Sequence, residues 1–358
     1  MPDRSRLPML LLALLIAIGG CGNQDERPPS VWRARPAMGI NSPVIVDGIA
    51  YISGKGGFVY ALESSTYAVK WTFKADGDLS PPAVVDGVVY VSSADMSLYA
   101  LDAASGRERW AFAARDRLVS VPTVDGDTLY VASQEGILYA VDRQTGQERW
   151  NLALDGGLTE GKYLIAVQDG MIYVSLGGND NAPDFVAAID AATQEIVWRY
   201  ESSGFLMSPT VDGAVVYIGD FDGLVALEAA TGAIIWRQQN GAGFSVALVA
   251  GERLYVGAAT VSGAGIVNED GAGLYAIDKA TGAILWHLPT RNPVFARPLL
   301  LGDQIYAVSN VDGFRVEKDT GKAIEIYRFI SPSNSQPGAD GDSVLIGSSM
   351  AELYRMGP

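Results

Sequence analysis

A single cysteine, Cys21, and a single histidine, His287, stand in a chain of 358 residues. One cysteine leaves no disulfide within the chain. The two residues together exclude zinc sites of the usual Cys/His composition and Cys–His nucleophile pairs. Positive charge is also scarce: 26 lysines and arginines face 41 aspartates and glutamates, for a formal net charge of −15. Without residues 1–20, which hold Asp3, Arg4 and Arg6, the balance is 24 basic to 40 acidic residues. A surface of that sign repels phosphate backbones and argues against nucleic-acid binding. No G-x-x-x-x-G-K-[ST] loop occurs, and helical periodicity is almost absent, so the 41 glycines mark turns. The one long apolar run, Leu7–Ile18, is too short to anchor stably across a bilayer.

What the chain does have is a repeat. It is cleanest at Ser120–Trp150, where Asp125-Gly126, Glu135-Gly136 and Thr145-Gly146 punctuate short runs of β-branched and aromatic residues. Runs of that length between such pairs predict an antiparallel meander, with strand A at about 120–124, B at 127–133, C at 137–142 and D at 147–152. The unit closes on a tryptophan, and Trp32, Trp71, Trp110, Trp150, Trp198, Trp236 and Trp286 recur at gaps of 38 to 50 residues. Tyr327 takes the next place. A four-strand unit with a period near 40 predicts an all-β, eight-bladed β-propeller spanning residues 31–358, with each closing ring buried between blades. Trp32 is a strand D residue with no blade before it, while the last unit, through Met356, stops short of a strand D. Val31–Arg35 is therefore expected to complete the last blade and close the ring, removing unpaired edges.

Asp102, Asp142, Asp190 and Asp278, with Glu63, Glu228 and Glu317, end strand C in successive copies, where a carboxylate can cap the following turn. They read as turn chemistry and not as a catalytic set. His287 alternates away from the Trp286 indole on an outer strand and is expected in solvent. Two blades are enlarged between strands B and C, at Gly177–Phe185 in blade 4 and at about Ala259–Gly271 in blade 6. In a meander these connections share a face with the D-to-A crossings, and long loops on a rigid scaffold commonly bind. Asn179 and Asp180 in the first insertion, and Asn268 and Glu269 in the second, are therefore candidate partner-binding residues. The spacing of Asn179, Asp180, Asn181 and Asp184 departs from a calcium loop, so no metal is assigned. On the same face lie Phe205, Leu206 and Met207, which either begin a strand A and pack inward or form an exposed apolar anchor centred on Leu206.

The first twenty residues have the form of a signal peptide: Arg4 and Arg6, an apolar run, then Ile18-Gly19-Gly20-Cys21. Small residues before a cysteine resemble a bacterial lipobox, in which Cys21 carries the lipid (diacylglycerol, commonly with palmitate). Gly22 after the cysteine resembles sorting to an outer membrane. Residues 21–30, with Pro28-Pro29, then form a lipidated tether.

The recurring A-[LVI]-[DE]-x-x-[TS]-G-x-x-x-W, at Ala100–Trp110, Ala140–Trp150, Ala226–Trp236 and Ala276–Trp286, resembles the tryptophan-docking motif of PQQ-type propellers. Quinoprotein dehydrogenases of that fold are larger and carry adjacent cysteines, which this chain lacks. A lipobox followed by a bare eight-bladed propeller resembles the BamB family, lipoprotein subunits of the outer-membrane β-barrel assembly machinery. The resemblance implies a non-catalytic scaffold without cofactor. It would be lipid-anchored facing the periplasm, or on the outer face of the plasma membrane in a host with one membrane, and bind the POTRA domains of the barrel-forming subunit. The chain departs from the family pattern in two places: Ser203-Gly-Phe-Leu-Met207 stands where L-x-L-R-G is usual, and Gln239-Asn-Gly-Ala-Gly-Phe244 where an acidic crossing is usual. The family's contact residues are therefore not carried over. Another periplasmic or cell-surface propeller scaffold stays open, and a quinone-binding enzyme is the minor alternative.

Overall fold

In a computed structural model of the chain, residues 31–34, 39–156, 165–177, 183–202, 206–220, 223–239, 242–262, 265–266, 271–333 and 335–357 are described. The described residues contain β-strands and no helix, arranged as eight antiparallel sheets. In blade 3 strand A is Thr123–Asp125, B Thr128–Ala132, C Ile137–Asp142 and D Glu148–Ala153. Strand A is thus shorter than the apolar pattern suggests and begins just after Pro122, whose missing N–H keeps it out of the ladder. The same start follows Pro43, Pro82, Pro209 and Pro298.

Each strand A packs against the strand A of the next blade, from Val44–Val46 through all eight to Gly338–Asp340 and back. These inner strands therefore wall a central channel. Strands B and C lie between two neighbouring blades, so both of their faces are covered; Val88–Ser92 and Val215–Asp220 have almost no exposed position. Their sequences accordingly read as continuous apolar runs. Strand D is more exposed, and in blades such as that of Ile196–Ser202 it alternates, because its outer side meets water.

The ring closes as the repeat count requires. Val31–Arg33 pairs antiparallel with the last strand C, Val31 opposite Tyr354 and Arg33 opposite Glu352, and so supplies strand D of blade 8. Side chains tie the same seam: Arg33 pairs with Glu352, which is 2% exposed and also accepts from Ser331 and Tyr354. Burial pushes the Glu352 carboxyl up, but these donors outweigh it and hold the group below its ordinary value.

Blade 6 departs from the four-strand plan. Its strand B is extended to Arg253–Ser262 and pairs beyond the blade core with Ala242–Phe244 and with Gly265–Ile266. The first part of the expected blade 6 loop is therefore strand. In blade 4, strand B ends at Leu176, opposite Phe185. Phe185, the last residue of the expected blade 4 insertion, is 4% exposed and belongs to strand C, because its ring fills the core beside Leu154 and Leu176.

Candidate protein-binding surface and channel mouth

The contacts between blades define which side chains are already occupied. Trp71 donates its indole N–H to the Ala103 carbonyl of the next blade at 2.9 Å, and Tyr51 donates to the same oxygen at 3.2 Å. Trp110 and Tyr90 share Arg143 O, Trp198 and Tyr173 share Ala229 O, and Trp286 and Tyr255 share Lys318 O. One carbonyl, just past the acid that ends strand C, thus holds two rings of the preceding blade. Strand B tyrosines were the partners that sequence reasoning missed. Their signal is the Y in I-A-Y-I, V-V-Y-V, T-L-Y-V and M-I-Y-V, placed 20 to 25 residues before Trp71, Trp110, Trp150 and Trp198. Trp71 and Trp198 are buried, whereas Trp32, Trp110, Trp150, Trp236 and Trp286 are only half-buried. Uniform burial of the closing rings is therefore corrected. Tyr327 is 4% exposed and bonds the Gly357 N–H.

The acids at the ends of strand C accept from the turns that follow them. Asp142 takes the N–H groups of Gln144 and Thr145 and the Thr145 hydroxyl, and Asp102 takes Ser105 in the same way. Arg149 and Arg109, on strand D, pair with these two acids at 2.6 and 2.7 Å. His287 is exposed and lies flat on Tyr275, with ring centroids 4.0 Å apart; burial of that contact face holds its imidazole below the ordinary value, against a backbone hydrogen bond with Ala272 O.

Of the candidate binding residues, Leu206 is 2% exposed and packs in the core with Tyr200, Val216 and Ile218. It is the inward-packing start of a blade and not an exposed anchor: the chain must turn down toward strand A here, and an apolar side chain follows it into the blade interface. Met207 is half-buried, its N–H bonded to Gly219 O and its carbonyl to the Ser175 hydroxyl. Phe205, Asn179, Asp180, Asn268 and Glu269 lie outside the described residues, as does Cys21.

Exposed apolar side chains occur elsewhere. At the start of strand D, blades 4, 5 and 6 present Val197 (51% exposed), Ile234 and Ile235 (54% and 50%), and Ile284 and Leu285 (39% and 46%). Blades 2 and 3 carry Glu108-Arg109 and Glu148-Arg149 at these positions. The outer rim is thus apolar on three successive blades and ion-paired on two others. Sequence reasoning passed over this contrast because the residues flank the tryptophans and read as ordinary strand.

At the axis, a cavity of about 400 Å³ opens among Ser42, Pro81, Val121, Arg297 and Gln336. Val121 and Arg297 belong to blades 3 and 7, opposite one another in a ring of eight, so this cavity spans the channel mouth. Among the described residues no three His, Cys, Asp or Glu side chains converge as a metal site.

The family model of outer membrane protein assembly factor BamB matches residues 29–169, 182–293 and 222–353, nearly the whole ring. The chain belongs to this BamB family. The crystal structure of BamB from Moraxella catarrhalis superposes with a TM-score of 0.72 at 16% identity, covering 93% of this chain and 99% of that one. The fold is also that of quinohemoprotein alcohol dehydrogenase from Comamonas testosteroni (TM-score 0.73, 15% identity, 93% and 76% covered) and of the computationally designed Ika8 protein (0.75, 10%, 90% and 97%). At these identities the likenesses establish the propeller alone. No curated protein matches the sequence.

Proposed function

We propose that this chain is a non-catalytic lipoprotein scaffold of the outer-membrane β-barrel assembly machinery, anchored through Cys21 and binding the barrel-forming subunit on its periplasmic side. The observation that carries the reading is the BamB family match along almost the entire ring. The lipobox-like Ile18–Cys21 supports the anchor. The apolar rim of blades 4 to 6 supplies a surface suited to a protein partner, because large side chains held half in water gain by being covered. A quinone-dependent reading has only the shared fold behind it, and the single cysteine rules out the adjacent pair typical of those enzymes. The departures at 203–207 and 239–244 favour a second reading, a related periplasmic scaffold with another partner.

Affinity capture from solubilised membranes separates the two. The first reading expects the barrel-forming subunit among the captured proteins, and its absence from a capture that retains other envelope proteins would favour the second. Ile235→Lys with Leu285→Lys should then weaken capture at least about tenfold, or about 1.4 kcal/mol. Stability should stay within about 0.5 kcal/mol, as for exposed sites generally. Undiminished capture by that double variant would place the contact on another surface.

A further inference from the structure

We infer that the mouth of the central channel, on the face of the D-to-A crossings, binds a short-chain carboxylate against Arg297. The second residue before strand A occupies the same level of the channel wall from blade to blade. Among the described residues these positions are Ser42, Pro81, Val121, Ser208, Val246, Arg297 and Gln336. Six are uncharged and one is a guanidinium. Among the described residues its only hydrogen bond runs from Nε to Ala247 O of the neighbouring blade, at 3.1 Å, and no carboxylate lies within ion-pair distance. By contrast, Arg109, Arg149, Arg253 and Arg355 each have an acid partner. Arg297 is half-buried, and desolvation lowers the basicity of its guanidinium with no counter-charge to offset it.

The cavity beside it holds about 400 Å³, within the range of small-molecule sites, and its lining contains no acidic side chain although the chain carries 41. The acids of the inner hairpins, such as Asp47, Asp86 and Asp303, sit beyond the far end of strand A, at the other face of the disk. Geometry and charge together select the ligand. One planar guanidinium matches one carboxylate through a forked pair of N–H donors. The collar of Pro43, Ile45, Pro81, Pro82 and Val121 offers apolar surface to a short hydrocarbon tail, and Gln336 lines the same cavity. A phosphate dianion would bring a second charge that nothing in the lining neutralises.

The test is isothermal titration of the full-length chain in detergent with butyrate, using inorganic phosphate and n-butanol as comparators. Butyrate should bind saturably at one site, more tightly than either comparator. Arg297→Gln should weaken that binding at least about tenfold, or about 1.4 kcal/mol, while Arg107→Gln leaves it unchanged. Should Arg297→Gln fail to fold, Arg297→Lys keeps the charge but loses the fork and should bind butyrate more weakly than wild type. Absence of saturable butyrate binding, binding no tighter than that of phosphate, or wild-type affinity in the folded Arg297 variant would each overturn the assignment.

Discussion

Gly106 shows how a single residue sets the docking of one blade on the next. Its φ is +71°, and a Cβ added there would lie 2.6 Å from Cδ2 and Cε3 of Trp71, so both the backbone and the neighbouring ring require glycine. Gly106→Ala should therefore cost about 1–3 kcal/mol, and Trp71→Ala about 3–5 kcal/mol for emptying a large aromatic site. The two share one contact, so urea unfolding of the double variant should show less than the sum of the single losses; strict additivity would mean that ring and glycine do not meet. Asp102, four residues earlier, responds to pH. Hydrogen bonds from Arg109 and Ser105 hold its carboxyl at about 2, below the ordinary 3.8. A depressed folded pKa means that the stabilisation is complete above the unfolded value and is lost as pH falls from there through about 2. A carboxyl titration followed by NMR should give that low midpoint, and Arg109→Ala should raise it. The glycines, acids and tryptophans of this joint were legible in the sequence because they recur in register. The strand B tyrosines recur as well, but a tyrosine in a strand carries no mark of a hydrogen bond made across to another blade. Leu206 was ambiguous for a related reason: three apolar residues at a crossing read alike whether they turn inward or outward.

Strand D of blade 8 is the element on which the ring depends. Its three residues come from the N-terminal side of the sequence and its ladder partner from the C-terminal end, so closure joins segments more than 300 residues apart. Deleting residues 22–35 should expose the edge of Glu352–Met356, strip Arg33 from the buried Glu352 and promote aggregation or unfolding. Deleting 22–29 alone should leave a stable, monomeric propeller. Light scattering and urea denaturation of the two truncations check this, and equal behaviour would sink the dependence on that strand. Sequence counting found the element because a tryptophan without a blade and a blade without a strand are complementary gaps. It could not foresee that blade 6 converts part of its long connection into extra strand. That depends on the crossing at Ala242–Phe244 coming alongside Ala258–Thr260, a pairing between segments with no local signal for each other. The Arg297 cavity was hidden for the same kind of reason: F-A-R-P resembles the S-V-P or S-P of other blades until the ring brings these positions to one level.

The course of strand D also fixes how an anchored disk would face the membrane. Strand D runs from the hairpin face, where the A–B turns lie, toward the crossing face, and Val31 is at its hairpin end, opposite Tyr354. A tether leaving Val31 toward Cys21 therefore starts on the hairpin side of the rim. Nine extended residues reach at most roughly 30 Å, so under the proposed lipid anchor that side would stay near the lipid surface and the crossing face, with both enlarged blades and the channel mouth, would point away from it. Asp47 and Lys55 report the two faces: both are exposed, and they sit on the turns at opposite ends of strand Ile49–Ser53 in blade 1, about 17 Å apart along the strand. With the chain bound to vesicles through its lipid, a fluorophore at Asp47→Cys should be quenched by spin-labelled headgroups more strongly than one at Lys55→Cys. The anchor itself is checked separately, since Cys21→Ser should release the chain from the membrane fraction. If Cys21→Ser is released as expected but quenching is stronger at position 55, the anchor stands and the orientation is inverted, with the channel mouth and the enlarged blades turned toward the lipid.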